Sequence, residues 1–297
     1  MTGPYARQPD RVTIVEVGPR DGLQNHPATF ATSAKVAFIE ALAAAGAKVI
    51  ETTSFVSPVA VPRLADADQL MHDLHRQAGV RYLALVPNER GYERAISAGI
   101  DSVALFASAT EAFSQANLRA SIDETFERFH VVARRAKTDA VWLRGYVSVA
   151  FACPYSGATD PDDTRRVAER LLNLGCDEIA LADTIGAAEP AGVRELLDKV
   201  LISIPAELLA LHVHDTGGRA LANVDAALEY GIRTFDSSAG GLGGCPFAPG
   251  APGNVATEIL VEHLAGRGIE TGIDPHAVRR AVVSLLAAGT EPVSPEA

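Results

Sequence analysis

Little in this sequence suits a membrane, a nucleic acid or an oxidising compartment. No apolar stretch approaches the roughly 18 residues a membrane span needs. Residues 1–10 carry Arg7 but not the apolar stretch of a secretory leader. Basic residues are the minority: 26 Lys and Arg against 37 Asp and Glu give a formal charge of -11. No basic stripe is available to neutralise phosphates, which argues against nucleic-acid binding. Three cysteines, Cys153, Cys176 and Cys245, are too few for a disulfide framework, and none stands in a CxxC pair. A reducing, cytoplasmic setting is expected from that usage. Linkers rich in Pro, Gly or Ser, low-complexity segments and strict repeats are also missing, so nothing divides the chain.

What is present is alternation. Eight short β-branched runs (12–17, 48–53, 81–86, 102–106, 142–149, 178–182, 209–214 and 233–237) are separated by loops and amphipathic segments. Thr32 is placed to cap a helix with Val36, Ile39 and Leu42 on its apolar face and Gly46 at its end. Ser121 and Glu124 fit a capping box ahead of Phe126, Phe129 and Val132. Asp160-Pro161 opens a helix that Gly175 ends, Pro190 starts another, and Gly231 closes one bearing Leu221, Val224 and Leu228. Eight strands alternating with helices imply an α/β fold with a parallel sheet. At 297 residues, not far above the ~250 typical of the fold, a closed (β/α)₈ TIM barrel fits best, with a doubly wound sheet as the competing architecture. The barrel is expected over residues 12–288, after a short N-terminal extension (1–11) and before a loose tail (289–297).

A barrel of this kind carries its active site at the C-terminal ends of the strands. His212-Val213-His214-Asp215 ends the seventh run, and alternation sends both imidazoles the same way. They suit a divalent metal or are a buried, hydrogen-bonded pair. Arg20-Asp21-Gly22 follows the first run: a carboxylate oxygen for a cation and a positive charge for a developing anion, or a turn with a surface charge pair. Glu51 closes the second run and needs a partner inside a barrel mouth; Arg20 is the natural one, so Glu51 reads as a residue that positions Arg20. Asp183 reads as a carboxylate supporting the site or as a helix cap, and Tyr146 as a core aromatic or part of the pocket lining. The Gly-rich stretch from Gly240 to Asn254 reads as a mobile lid presenting the thiol of Cys245. Asn254 offers a carbonyl oxygen to a metal or caps a helix starting near Val255. Cys153 and Cys176 read as packing residues.

Together these motifs resemble hydroxymethylglutaryl-CoA lyase, within the wider class of metal-dependent barrel lyases and Claisen-type synthases. The similarity runs from about Val12 to about Ala288. It rests on Val15-Glu16-Val17-Gly18-Pro19-Arg20-Asp21-Gly22-Leu23-Gln24-Asn25, on Val49 to Pro58, on Asp183-Thr184-Ile185-Gly186, on His212 to Thr216, and on Gly241-Leu242-Gly243-Gly244-Cys245-Pro246, the most specific of them. The resemblance implies that Asp21, His212, His214 and Asn254 bind a divalent cation, Mg²⁺ or Mn²⁺. It implies that Arg20 stabilises an enolate, Asp21 acts as base and Cys245 returns a proton. Glu51 would hold Arg20, Asp183 would support the histidines or shuttle protons, and Gln24, Ser54 and Tyr146 would join Arg20 beside the substrate. It also implies an acyl-CoA substrate and a homodimer.

The sequence departs from the family pattern at several positions, two of which, Ala180 and Phe247, remove a hydroxyl near the acyl pocket. Ala180 stands for a usual Ser, Ala182 for a usual Gly, Phe247 for a usual Tyr and Ile259 for a usual acidic residue, while Pro249 and Pro252 stiffen the lid. The expected reaction is cleavage of 3-hydroxy-3-methylglutaryl-CoA to acetyl-CoA and acetoacetate. The alternatives are a lyase for a related 3-hydroxyacyl-CoA such as citramalyl-CoA, a condensing synthase, and a non-catalytic barrel that binds metal or acyl-CoA.

Overall fold

A computed structural model describes residues 9–243 and 253–290. Ten strands run in chain order as β1 (Thr13–Glu16), β2 (Val49–Ser54), β3 (Arg81–Leu85), β4 (Ser102–Ser108), β5 (Trp142–Ser148), β6 (Ala152–Cys153), β7 (Gly157–Ala158), β8 (Glu178–Asp183), β9 (Leu209–Val213) and β10 (Thr234–Ser237). Eight of them close a parallel barrel in the order β1-β10-β9-β8-β5-β4-β3-β2. These are the eight runs expected from sequence. The antiparallel pair β6–β7 is not among the runs expected from sequence.

Among the described residues ten α-helices accompany them: α1 (Thr32–Ala44), α2 (Ala67–Asp73), α3 (Glu89–Ser97), α4 (Glu111–Leu118), α5 (Ile122–Thr138), α6 (Pro161–Leu174), α7 (Pro190–Val200), α8 (Ala220–Glu229), α9 (Thr257–Gly266) and α10 (Pro275–Ala287). Five of them start at a side-chain cap: Asn88, Thr110, Ser121, Asp160 and Asp274. Ser121 and Glu124 form the reciprocal capping box of α5, and Asp160 caps α6 with Pro161 behind it. Thr32 is an exception. The residue capping α1 is Ala31, without a side-chain bond, because the Thr32 hydroxyl donates instead to Asp66 Oδ2 at 2.7 Å. None of the helices among the described residues is long and apolar enough to cross a membrane.

Alternation along the strands divides the buried residues into two sets. The outward set, including Ile14, Ile50, Val103, Leu143, Ile179, Leu211 and Phe235, packs under the helices as the main core. The inward set is small: Leu83, Ala104, Tyr146, Ala180 and Ala210, with Phe106 and Trp142 against them. Barrels of this class are filled mostly by bulky aliphatic residues. Here three alanines leave room inside for Arg144, which is wholly buried. Its guanidinium donates to Asp236 (Nη2 to Oδ1, 2.7 Å; Nη1 to Oδ2, 3.1 Å) and to the Tyr146 hydroxyl (2.7 Å). Glu178 adds an ion-pair contact at 2.8 Å.

At the chain ends, Arg11 bridges to Glu270, and Thr290 pairs with Thr29. The remainder of the expected tail lies outside the described residues.

Candidate metal centre and active site

The turn after β1 is built around close contact. Gly18–Gly22 forms one π-helical turn, closed by the Gly22 N–H on the Val17 carbonyl at 3.2 Å. π turns of this kind recur at functional sites. A Cβ on Gly18 would stand 2.7 Å from Glu16 Oε1, and one on Gly22 2.8 Å from Ser238 Oγ. Only glycine permits the turn to seat there. The turn delivers Arg20 and Asp21 to the C-terminal mouth of the barrel.

Arg20 is buried and clamped. Its Nε donates to Glu51 Oε2 at 2.7 Å, its Nη2 lies 2.6 Å from the same oxygen, and its Nη1 donates to Asp21 Oδ1 at 2.7 Å. The clamp agrees with the expected partnership of Glu51 and Arg20. Burial pushes the Glu51 carboxyl above its ordinary range against the pull of the Arg20 charge. For Asp21 the balance is reversed. Burial would raise it, but Arg20, His212 and His214 together hold it well below the usual carboxylate range.

His212 and His214 converge at the end of β9 with ring centroids 5.2 Å apart. Ligand atoms of Asp21, His212 and His214 all lie within 4.8 Å of one another. Asn254 joins them from a short extended segment that pairs with the end of β9 at His214. Its Nδ2 donates to Asp21 Oδ2 at 2.7 Å and to the Leu242 carbonyl at 3.2 Å. The capping alternative for Asn254 does not hold, since α9 starts at Thr257 with Ala256 before it.

Among the described residues, two buried atoms in this cluster, His214 Nδ1 and Asn254 Oδ1, find no hydrogen-bond partner. Orphaned buried acceptors are rare without a reason. Two imidazoles, a carboxylate and a free amide oxygen make a mixed nitrogen and oxygen donor set suited to a small divalent cation. The residues therefore fit a metal. His214 is driven down to about 4, by burial first and the His212 charge second, so it is neutral and able to ligate at neutral pH.

The HMGL-like family model matches residues 11–283. The chain belongs to the HMGL-like family. It is 50% identical over 276 residues to a hydroxymethylglutaryl-CoA lyase of Pseudomonas mevalonii, covering 93% of this chain and 92% of that one. The crystal structure of the HMG-CoA lyase from Brucella melitensis superposes with a TM-score of 0.92 at 49% identity, covering 93% of this chain and 98% of that chain. An HMG-CoA lyase from A. baumannii, described in complex with coenzyme A and 3-methylmalate, superposes with a TM-score of 0.89 at 39% identity, covering 94% and 91%.

In this HMGL-like barrel the other expected site residues fall as follows. Tyr146 is nearly buried and stands between Arg20, whose Cζ is 5.9 Å from its ring centre, and His212, edge-on at 6.2 Å. Ser54 ends β2 with its hydroxyl buried and without a hydrogen-bond partner among the described residues, and Gln24 is half-buried just past the π turn. Asp183 gives both carboxylate oxygens to the loop before α7, accepting from the N–H groups of Ala187 (2.9 Å) and Ala188 (3.1 Å). Burial nonetheless raises it to about 6. Cys245, Phe247, Pro249 and Pro252 lie outside the described residues. Cys153 and Cys176 are buried and free.

Sequence reading missed the carboxylate that serves His212. Asp236 Oδ2 stands 3.1 Å from His212 Nδ1, and the same carboxylate is held by Arg144. A carboxylate behind a histidine fixes its tautomer and aims its other nitrogen. The signal was available. Arg144 and Asp236 sit at inward positions of apolar strands, and a buried arginine must be paired.

Proposed function

We propose that this chain cleaves 3-hydroxy-3-methylglutaryl-CoA to acetyl-CoA and acetoacetate with the help of Mg²⁺ or Mn²⁺. The observation that carries the reading is the meeting of Arg20 and Asp21 with His212, His214 and Asn254 at one barrel end. The relatives named as lyases, one described with coenzyme A, support an acyl-CoA substrate and lyase chemistry.

The chemistry is a retro-Claisen step. Asp21 takes the proton of the tertiary hydroxyl, the adjacent carbon–carbon bond breaks, and the bonding pair leaves as the enolate of acetyl-CoA. The hydroxyl carbon becomes the ketone of acetoacetate. Arg20 faces the enolate oxygen, where charge develops, and Glu51 keeps its fork aimed. Cys245 protonates the enolate carbon and completes acetyl-CoA. A carboxylate held as low as Asp21 accepts a proton only from a hydroxyl that has itself been acidified, and lowering that hydroxyl pKa is what a bound divalent cation supplies.

Purified protein with Mg²⁺ and a reductant should release acetyl-CoA from 3-hydroxy-3-methylglutaryl-CoA at about 10 per second, and a chelator should abolish the release. Cys245→Ser should bind Mn²⁺ as before while turnover falls by about 10²–10⁴; wild-type turnover in that variant would remove the thiol from the mechanism. A second reading, a related 3-hydroxyacyl-CoA such as citramalyl-CoA, is favoured by Ala180. It packs beside Tyr146 inside the barrel without the hydroxyl usual there. Release from that thioester alone would establish it.

A further inference from the structure

Glu16 ends β1 on the outer face that Ile14 shares, and is fully buried. Its two oxygens gather three donors from three parts of the chain. Oε1 accepts the N–H of Gly18 at 2.8 Å and of Ala239 at 2.9 Å. Oε2 accepts the Thr257 hydroxyl at 2.6 Å, and Thr257 Oγ1 lies 2.8 Å from Ser237 Oγ. Gly18 opens the π turn that carries Arg20 and Asp21. Ala239 opens the turn leading to Leu242, whose carbonyl holds Asn254. Thr257 stands three residues beyond Asn254 at the start of α9.

Stability alone does not explain a carboxyl here. Among the described residues no cation pairs with it, and the charged neighbour is the like-charged Glu258. Burying such a group without a counter-ion is unfavourable relative to an apolar residue of the same size. What a carboxyl does and an apolar residue cannot is accept from several donors at once.

We propose that Glu16 is a positioning residue that staples the Arg20–Asp21 turn to the segment carrying Asn254 and so sets the gap between two metal ligands. The inference rests on the metal reading above. It predicts that shape and acceptor count matter and charge does not. In Glu16→Gln the amide oxygen still accepts both N–H groups, and the amide nitrogen donates to Thr257, whose hydroxyl turns to Ser237.

The test uses the full chain without substrate, reading Mn²⁺ affinity by calorimetry and amide exchange over residues 17–23 and 253–258. Glu16→Ala should lose about tenfold or more in Mn²⁺ affinity and exchange faster in both segments. Glu16→Gln should recover to within about threefold of wild type. Thr257→Val, which removes one donor and keeps the fold should Glu16→Ala fail to, should fall between them. Wild-type affinity and exchange in folded Glu16→Ala or in Thr257→Val, or a Glu16→Gln as impaired as Glu16→Ala, would overturn the staple. A wild-type protein that binds no Mn²⁺ would refute the metal reading instead, and the exchange pattern alone would then decide whether Glu16 joins the two segments.

Discussion

At the scale of single residues, the site depends on which carboxylate serves which partner. Asp236 bridges the wholly buried Arg144 to His212, whereas Asp183 is occupied by two backbone N–H groups. Asp236→Asn removes a charge from both neighbours at once. It should lower Mn²⁺ affinity by about 10–100-fold through the loosened imidazole and destabilise the fold by about 3 kcal/mol, because Arg144 keeps only Glu178 and Tyr146. Asp183→Asn should disturb the loop before α7 and change Mn²⁺ affinity at most a few-fold. Calorimetric titration of the two variants with Mn²⁺ separates the roles, and an equal loss in both would mean that Asp183 also supports the histidines. Strand parity marks Arg144 and Asp236 as a buried pair, but spacing does not say which histidine the carboxylate serves. His212 and Asp236 are 24 residues apart and meet only because β9 and β10 are neighbours, with Asp236 in register with His212.

Single elements were readable where their signals are local. Helix α1 was expected to end at Gly46, and it does so in a left-handed closing turn. Gly46 N–H bonds the Ala43 carbonyl at 3.1 Å and Ala47 N–H the Leu42 carbonyl at 3.1 Å. Gly46 has φ +107, and a Cβ there would stand 2.1 Å from the Gly272 carbonyl oxygen. Gly79 has φ +78 with nothing near its would-be Cβ. The pair separates backbone strain from collision. Gly79→Ala should cost about 1–2 kcal/mol. Gly46→Ala should cost about 2–4 kcal/mol and lower the melting temperature by roughly 5–10 °C. Equal shifts in thermal denaturation would show that the segment around Gly272 yields freely. The π turn Gly18–Gly22 was visible only as an irregular Gly-Pro turn. Its form depends on Ser238 and Leu242 packed against it, and contacts more than 200 residues away leave no local trace. Asn254 was ambiguous for the same reason, since the pairing with His214 that holds it clear of α9 is long-range.

At the scale of the whole molecule, burying so many ionisable groups at one barrel end makes stability a function of pH, with terms of opposite sign. His214, lowered to about 4 from 6.5, leaves the fold with fewer bound protons than the open chain across that interval, so its contribution to stability rises with pH there. Asp183, raised to about 6 from 3.8, acts oppositely over its own interval. Glu16 reaches furthest upward: burial lifts it from 4.5 to about 7, against the three donors that pull it down. Between those values the folded chain keeps a proton that the unfolded chain has released, so stability falls as pH rises, from no cost below pH 4.5 to the full cost above 7. Glu16→Gln cannot titrate and mimics the protonated form, while the other groups titrate alike in both proteins and cancel in the difference. The melting temperature of Glu16→Gln minus that of wild type, measured with chelator present, should therefore widen from pH 5 to pH 8 by roughly 5 °C, equivalent to a term on the order of 3 kcal/mol. A gap that stays flat across the range would mean that the three donors outweigh burial and that Glu16 is ionised throughout. The staple would then be a carboxylate held by its hydrogen bonds alone, and the pH dependence of the fold would have to come from the mouth of the barrel.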